Sequence, residues 1–247
     1  MSVNPLNRRR FLRVCGTAVA AVSANPRLLA EGRGPVKSYR PATLVNAEGK
    51  PITVGDLKTG ETYVFFYPYV TTPCFLMNLG KQTASDVTLQ TEDGEVYAWE
   101  GGVGPERSVV AFSAICAHKM SHPSRSVSFI NYRHRDVNFI DSSKQPARRS
   151  QVVYCCSEGS VYDPVAGAKV LGGPAPQPLA AIRLDYDHDS GGLKASGTQG
   201  GDMFNKFLST FEFRLALEFQ ITDVGQLIAD STAVTPMAEF CKTQIKC

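Results

Sequence analysis

The sequence has little net charge, few histidines and a single tryptophan. Its formal net charge is +3, and four arginines near the N-terminus, in a stretch without acidic residues, account for +4, so the remainder of the chain carries −1. That balance gives no electrostatic footprint for nucleic acid, which we exclude as a partner. Four histidines in the whole chain leave little room for an additional catalytic iron held by two histidines and a carboxylate, which argues against an oxygenase.

The N-terminal segment has the pattern of an export signal. Its arginines precede the short apolar run VCGTAVAAVSA, as in the basic region, apolar region and small-residue cleavage site of a signal peptide. The stretch NRRRFLRV at 7–14 resembles a twin-arginine signal, which predicts a periplasmic protein exported in the folded state. The apolar run is shorter than the ~20 residues of a spanning helix. We therefore assign 1–35 to a cleaved signal or a membrane anchor, followed by a linker; the alternative is an ordinary basic amphipathic N-terminus.

The region from 36 to 200 is predicted to be one mainly β domain. The chain of 247 residues is 43% hydrophobic, which suffices for a sizeable core. Asp93-Gly94 lies between two alternating runs, as in a β-hairpin. We interpret SSKQPARRS as a loop. Aromatic and β-branched composition predicts further strands at TYVFFYPYV (62–70), SVVAFSAI (108–115), SQVVY (150–154) and LAAIRLDYD (179–187).

Residues 201–247 form a C-terminal extension of different character, predicted to contain helix. DMFNKFLSTF has apolar residues at helical spacing, although FEFRLALEF then alternates as a strand does. We interpret its aromatic stripe as a buried face rather than a partner-docking surface. Thr235-Pro236 resembles an N-cap followed by proline at the first helical position, which predicts a terminal helix from about 236 to 245.

Two segments roughly thirty residues apart have the composition of metal-binding loops. SAICAHKMSH contains Cys116 and His118 as C-x-H, and YCCSEGSVYDPVAG contains Cys155 with Glu158 three residues later. GGPAPQPL, with Pro174, follows. In this order the three segments resemble the Rieske iron-sulfur family, in which C-x-H and C-x-x-H loops hold a 2Fe-2S cluster with two cysteines on the inner iron and two histidines on the outer one.

The resemblance implies an antiparallel β domain with a cluster-binding subdomain, whose loops span about 113–124 and 154–179. FYPYVTTPCFLMNLGK, GGVGPERSVVAFSAICAHKM and AAIRLDYD are most similar to the branch that contains the small subunit of arsenite oxidase. The likeness covers about 60–197. Members of that branch partner a larger molybdenum-containing subunit, so the resemblance implies a larger catalytic redox subunit as partner.

The resemblance also implies roles for individual residues. Cys116 and Cys155 correspond to the thiolates of the inner iron, and His118 corresponds to an imidazole ligand of the outer iron. Ser160 and Tyr162 match hydroxyl donors to a bridging sulfide and a cysteine sulfur. Such donors stabilise the reduced cluster and raise its potential. Pro174 belongs to the proline loop that covers the cluster.

The chain departs from the family pattern at three positions. Ser121 and Ser157 replace two cysteines that form a disulfide between the loops, which predicts a disulfide-free site held by packing and hydrogen bonds. Glu158 replaces the second histidine. A carboxylate would change the charge of the oxidised cluster from zero to −1, so we expect a potential lower than that of a two-histidine site by on the order of 100 mV or more. With one imidazole ligand, the potential should also depend less on pH.

Other pairings remain open from the sequence. Cys156, His122 or His134 could supply the fourth ligand instead of Glu158, although adjacent strand residues such as Cys155 and Cys156 point to opposite faces. The outer iron could also have an open position. Since disulfides persist outside the cytoplasm, Cys241 and Cys247 could pair with each other or with Cys74.

The leading functional hypothesis is an exported electron-transfer subunit with a 2Fe-2S cluster. It would relay single electrons between a larger redox enzyme subunit and a carrier such as cytochrome c, with possible membrane association through the N-terminus. One alternative is the Rieske subunit of a quinol:cytochrome c oxidoreductase. Another is a structural or assembly subunit that keeps the fold without the cluster.

Overall fold

The computed structural model describes residues 36–201 and 203–247, and the predicted export segment lies outside the described residues. Within these ranges, no helix combines the length and apolar composition needed to cross a bilayer. The strands are β1 (Lys37–Val45), β2 (Thr62–Phe66), β3 (Pro73–Asn78), β4 (Val87–Gln90), β5 (Val96–Trp99), β6 (Val109–Ser113), β7 (Val127–Ser128), β8 (Ile130–Arg133), β9 (Val137–Ile140), β10 (Pro146–Arg149), β11 (Val152–Cys155), β12 (Ser160–Asp163), β13 (Lys169–Gly172), β14 (Ala181–Tyr186), β15 (Leu193–Gln199), β16 (Ser231–Ala233), β17 (Thr235–Pro236) and β18 (Thr243–Gln244). The helices are α1 (Met203–Phe219) and α2 (Met237–Phe240), with single 3-10 turns at Val54–Asp56 and Pro164–Ala166. The predicted mainly β fold is confirmed.

An eight-stranded sheet, in the order β16-β1-β15-β14-β6-β3-β2-β17, forms the main body. All its pairs are antiparallel except β1 with β16. The Asp93-Gly94 hairpin prediction is confirmed, because β4 and β5 pair antiparallel on either side of it. The four strands predicted from composition are also present, at β2, β6, β11 and β14.

Cores lie on both faces of the main sheet. Adjacent residues of β3 point to opposite faces, so Leu76 packs in one core and Phe75 in the other. Each such fully buried apolar side chain contributes about 1.5–3 kcal/mol to folding. The second core also contains Cys116, Cys155 and Tyr162. The candidate ligands therefore lie where a smaller sheet packs against the main one.

The smaller sheet, in the order β13-β12-β11-β8, carries the second candidate loop and corresponds to the predicted cluster-binding subdomain. Hairpin β11–β12 pairs Cys155 with Ser160, so the intervening turn projects Glu158 at its tip. Gly159 in this turn has φ +78°, a conformation that suits glycine. β10 lies in the segment SSKQPARRS, so the loop prediction there is wrong for Pro146–Arg149, which pair with β9.

The C-terminal extension packs on and around this body. FEFRLALEF is helical, contrary to its alternating pattern, because α1 continues to Phe219 with one stripe facing the core. The interpretation of that stripe as a buried face is confirmed, while Phe213 and Leu217 on the opposite face are exposed. The predicted terminal helix is shorter than expected and begins at Met237. The chain then becomes extended because β18 pairs with β7.

Candidate metal centre

The first candidate loop follows β6 and folds back on itself through two backbone hydrogen bonds. The Cys116 N–H donates to Ser121 O at 2.9 Å, and the Met120 N–H donates to Cys116 O at 2.9 Å. The loop buries Cys116, while His118 lies at its tip with a partly exposed side chain. Cys116 thus faces the core and His118 faces outward.

The second candidate loop is the turn of hairpin β11–β12. The Gly159 N–H donates to Cys155 O at 2.9 Å and closes the turn. Cys155 is buried, whereas the side chain of Glu158 is partly exposed, as is that of His118. The two loops therefore present matching pairs, a buried cysteine and a tip residue from each.

The two buried thiols are in contact with each other. Hydrogen bonding from Cys155, with smaller help from Tyr162, lowers the pKa of Cys116 to about 6 despite the opposing effect of burial. The same contact, together with burial, raises the pKa of Cys155 far above its usual range. The shared hydrogen bond therefore favours one thiolate in the pair. Thiolate is the form of cysteine that binds metals.

Tyr162 supports the Cys116 sulfur. Its hydroxyl accepts a hydrogen bond from the Ala117 N–H at 3.1 Å and lies 3.2 Å from the Cys116 Sγ. Burial and the neighbouring Cys116 raise the pKa of Tyr162, so its hydroxyl stays protonated. A Cys116 thiolate can only accept, and Tyr162 then donates to it.

Ser160 is a buried hydroxyl without a partner. Its Oγ is inaccessible to solvent and makes no hydrogen bond, although it is close enough to Cys116 to favour the thiolate. An unsatisfied buried polar group costs about 1–3 kcal/mol. A hydroxyl in this state beside the cysteine pair is suited to donate to an acceptor bound there.

The side chains at the two loop tips, His118 and Glu158, form a second pair of candidate metal ligands. His118 Nδ1 lies 2.9 Å from Glu158 Oε2, yet this nitrogen is buried and has no aligned hydrogen-bond partner. The two candidate ligand atoms therefore lie close together without forming a well-aligned hydrogen bond. The other carboxylate oxygen, Oε1, lies 3.2 Å from the Lys119 Nζ.

The donor set fits the 2Fe-2S cluster that the family resemblance implies. Two sulfurs are paired on the buried side, and one nitrogen and one oxygen are paired at the exposed side. Among the described residues, no three His, Cys, Asp or Glu side chains are grouped to hold a metal ion. Ligands in two separate pairs suit a dinuclear group better than a single ion. The unpartnered Ser160 Oγ and His118 Nδ1 are consistent with this fit.

The GGPAP segment packs directly on the second loop. A Cβ at Gly173 would lie 2.3 Å from Gly159 O and 2.5 Å from the Ser160 Cα, so only glycine permits this approach. Pro174, the next residue, is exposed. The cover predicted from the sequence therefore touches the turn that carries Glu158.

The alternative fourth ligands are held elsewhere. Cys156 forms a disulfide with Cys247. The His122 ring packs against Phe207 at 4.8 Å between centroids, and its Nδ1 contacts Met120 O at 2.9 Å. His134 lies beside Gly60, and none of these contacts involves a candidate ligand. The structure leaves Glu158 as the residue beside His118.

The predicted disulfide pairings are wrong, and the second loop carries a disulfide that the sequence analysis did not expect, although among the described residues none links the two loops. Cys74 and Cys241 are free and buried, and each thiol contacts a backbone carbonyl of its own neighbourhood. Cys247 instead reaches Cys156 because the extended tail runs along β7 towards the second loop. Adjacent strand residues point to opposite faces, so Cys156 is directed away from Cys155. This was the signal in the sequence that Cys156 could pair with a residue outside the candidate site.

Lys119 is a residue of the site that the sequence analysis missed. Its position next to His118 in the chain places it across the tip of the second loop. Lysine next to a ligand is unremarkable in sequence. Its relevance depends on Glu158, 39 positions further along.

Comparisons with known proteins add independent observations. No family model matches the chain. Iodate reductase subunit IdrB from Denitromonas iodatirespirans is 31% identical over 195 residues, which cover 79% of this chain and 82% of that protein. Among solved structures, the soluble domain of the Rieske protein II (soxF) from Sulfolobus acidocaldarius is 25% identical, with a TM-score of 0.41, and covers 66% of this chain and 82% of that one.

Proposed function

The chain belongs to the Rieske iron-sulfur protein family, and on that premise we propose that it is the electron-transfer subunit of a larger oxidoreductase. The observation that carries the proposal is the convergence of two donor pairs, Cys116 with Cys155 and His118 with Glu158. When bound to them, a 2Fe-2S cluster accepts and releases one electron at a time.

The residues around the site have different proposed roles. Cys116 and Cys155 anchor the buried side within the second core. His118 and Glu158 lie at the exposed tip, which is the side available to an electron donor or acceptor. Tyr162 and Ser160 supply hydroxyl donors to the sulfur side, which favours the reduced state.

The carboxylate sets this site apart electrostatically. Glu158 adds one negative charge relative to a neutral imidazole and so disfavours reduction. Two-histidine Rieske centres lie at roughly −150 to +300 mV, and plant-type four-thiolate clusters near −400 mV. We expect this site to have a potential between that of an otherwise equal two-histidine site and the four-thiolate value.

The partner is proposed to be a larger catalytic subunit. The similar IdrB protein is named as a subunit of an iodate reductase, and the same arrangement here would leave substrate chemistry to the other subunit. We also propose that the segment 1–35 directs export to the periplasm. Cytochrome c or a similar carrier is the proposed electron acceptor there.

The proposal is tested by mixing the reduced protein with oxidised cytochrome c under anaerobic conditions. The absorbance of the cytochrome should report one electron transferred per chain, and a Cys116→Ser/Cys155→Ser variant should transfer none. Isolation from the native source should also recover a larger redox subunit. A protein that contains the cluster yet exchanges electrons with neither partner would contradict the relay. A natively isolated protein without iron would favour the cluster-free scaffold.

A further inference from the structure

The two oxygens of the Glu158 carboxylate have different neighbours. Oε2 lies 2.9 Å from His118 Nδ1, and Oε1 lies 3.2 Å from Lys119 Nζ. His118 and Lys119 are consecutive, so the tip of the first loop approaches the carboxylate of the second loop from two sides. The backbone of neither loop tip supplies such a contact to Glu158 in the described hydrogen bonds.

This division matters because a carboxylate can bind a metal through one oxygen or both. An ammonium group on Oε1 competes for that oxygen and leaves Oε2, beside the imidazole nitrogen, as the ligand atom. Partners that hydrogen-bond to a ligating carboxylate fix its orientation. Lysine is suited to this role as a compact point charge with three donors.

The charge of Lys119 has a second effect. Replacing an imidazole by a carboxylate makes the site more negative by one unit, and the neighbouring ammonium opposes that change. A positive charge near the site favours the more negative, reduced state and therefore raises the potential. Lys119 thus offsets part of the effect of Glu158.

The competing interpretation is an ordinary surface ion pair. The side chain of Lys119 is 65% exposed, and exposed ion pairs contribute only about 0–1 kcal/mol to folding. The two interpretations differ in what they affect. An ordinary pair can shift the potential only through its charge and leaves the spectrum and the iron-loss rate unchanged, whereas a group that orients a ligand alters these two as well.

We propose that Lys119 is a positioning residue that holds Glu158 by Oε1, directs Oε2 to the outer iron and partly neutralises the added charge. This inference rests on the proposed function, because it requires a cluster at the site. It depends on the carboxylate of Glu158, since a neutral histidine at position 158 would give Lys119 no anion to hold.

The test compares Lys119→Met, which removes the charge, with Lys119→Arg, which keeps it. Lys50→Met is the matched control, because Lys50 is an exposed lysine in the turn after β1, at the end of the main sheet remote from β6 and the first loop. Each purified protein is assayed for iron, for its electron paramagnetic resonance spectrum after dithionite reduction, for its midpoint potential and for the rate of iron loss to a chelator.

Lys119→Met should retain iron on purification, show altered g values and have a lower midpoint potential. It should lose iron roughly 10-fold faster, the lower end of the effect of removing a group that orients a metal ligand. Lys119→Arg and Lys50→Met should resemble the wild type. In a Glu158→His background, Lys119→Met should leave the g values and the iron-loss rate unchanged, and only the effect of its charge on the potential should remain.

A cluster-containing Lys119→Met protein with wild-type spectrum and iron-loss rate would overturn the inference while leaving the proposed function intact. Equal changes in the g values and the iron-loss rate in the Glu158→His background would also overturn it, because Lys119 would then act independently of Glu158. A wild-type protein without iron would overturn the proposed function and this inference together.

Discussion

The two loops of the candidate metal centre are held in place in different ways. In the part of the chain that the structure describes, no disulfide links the first loop to the rest of the fold, and Tyr162 and helix α1 support it through contacts with Ala117 and His122. The second loop belongs to a hairpin and is cross-linked to the C-terminal tail at Cys156. Glu158, the one departure from the family pattern at a candidate ligand position, lies on the second loop. The loop with the altered candidate ligand is therefore also the one with a disulfide.

The tail connects the two loops indirectly. Lys242 N–H donates to Arg125 O, and Ile245 N–H donates to Ser128 O, so the tail runs beside the segment that follows the first loop. The tail then ends at the disulfide beside Cys155. A strap of this kind can limit the separation of the loops although Ser121 and Ser157 cannot be cross-linked.

The largest expected effect is loss of the metal from either loop. Cys116→Ser or Cys155→Ser removes one of the two buried thiols, and we expect each to abolish iron binding, since the proposed cluster needs both thiolates on its inner iron. Iron analysis of proteins purified in parallel provides the measurement. Cys74→Ser, which removes a buried thiol outside the site, is the control and should keep its iron. Retention of a full cluster in either ligand variant would show that the loops do not share it.

Among the described residues, only the second loop is cross-linked by a disulfide, and we expect its removal to have a large effect on the free energy of unfolding. Cys156→Ser/Cys247→Ser should lower the free energy of unfolding by about 2–5 kcal/mol, because the cross-link closes a long loop in the unfolded chain. Urea denaturation of the oxidised proteins measures the change. Cys241→Ser, which leaves the disulfide intact, tests for a general effect of losing a C-terminal thiol. Equal stability of the double variant and the wild type would mean that the tail does not support the second loop.

The ligand difference between the loops predicts a change in potential. Glu158→His makes the second loop match the first in ligand type and should raise the midpoint potential by on the order of 100 mV. The variant should also show a stronger pH dependence, because two imidazoles can then ionise. Redox titrations across a pH series provide the measurement. An unchanged potential in a cluster-containing variant would indicate that Glu158 is not a ligand.

The attachment of the first loop predicts a smaller, pH-dependent effect. Burial lowers the pKa of His122 in the folded protein, so the unfolded chain binds more protons at this site. Stability should therefore fall as the pH drops below the ordinary histidine pKa of about 6.5. His122→Phe should reduce this acid sensitivity, as measured by thermal denaturation between pH 5 and about 8. His188→Phe, at an exposed turn, should not. Parallel pH profiles for all three proteins would rule out this role of His122.

The sequence predicted what is encoded locally. Strands β2, β6, β11 and β14 and the hairpin at Asp93-Gly94 follow from residue composition and turn chemistry. The candidate site residues Cys116 and His118 come from the resemblance of the C-x-H segment to the family, and the structure places Cys116 near Cys155 and His118 beside Glu158. Each of these features depends on a few neighbouring residues.

The predictions that failed depend on partners far away in the chain. FEFRLALEF alternates, yet the core beneath it makes it helical. The tail is extended rather than helical because β7 pairs with it. The Cys156–Cys247 disulfide joins residues 91 positions apart. Local propensity contains no information on such contacts, because tertiary packing overrides it.

The central claim is that two loops hold a 2Fe-2S cluster with one imidazole and one carboxylate on the outer iron. Pulsed electron paramagnetic resonance of the dithionite-reduced protein, labelled with ¹⁵N-histidine and analysed for iron and sulfide, tests it most directly. We predict two irons and two sulfides per chain and strong coupling to a single histidine nitrogen. Two coordinated histidine nitrogens, or a metal-replete preparation without iron between Cys116 and Cys155, would contradict the account.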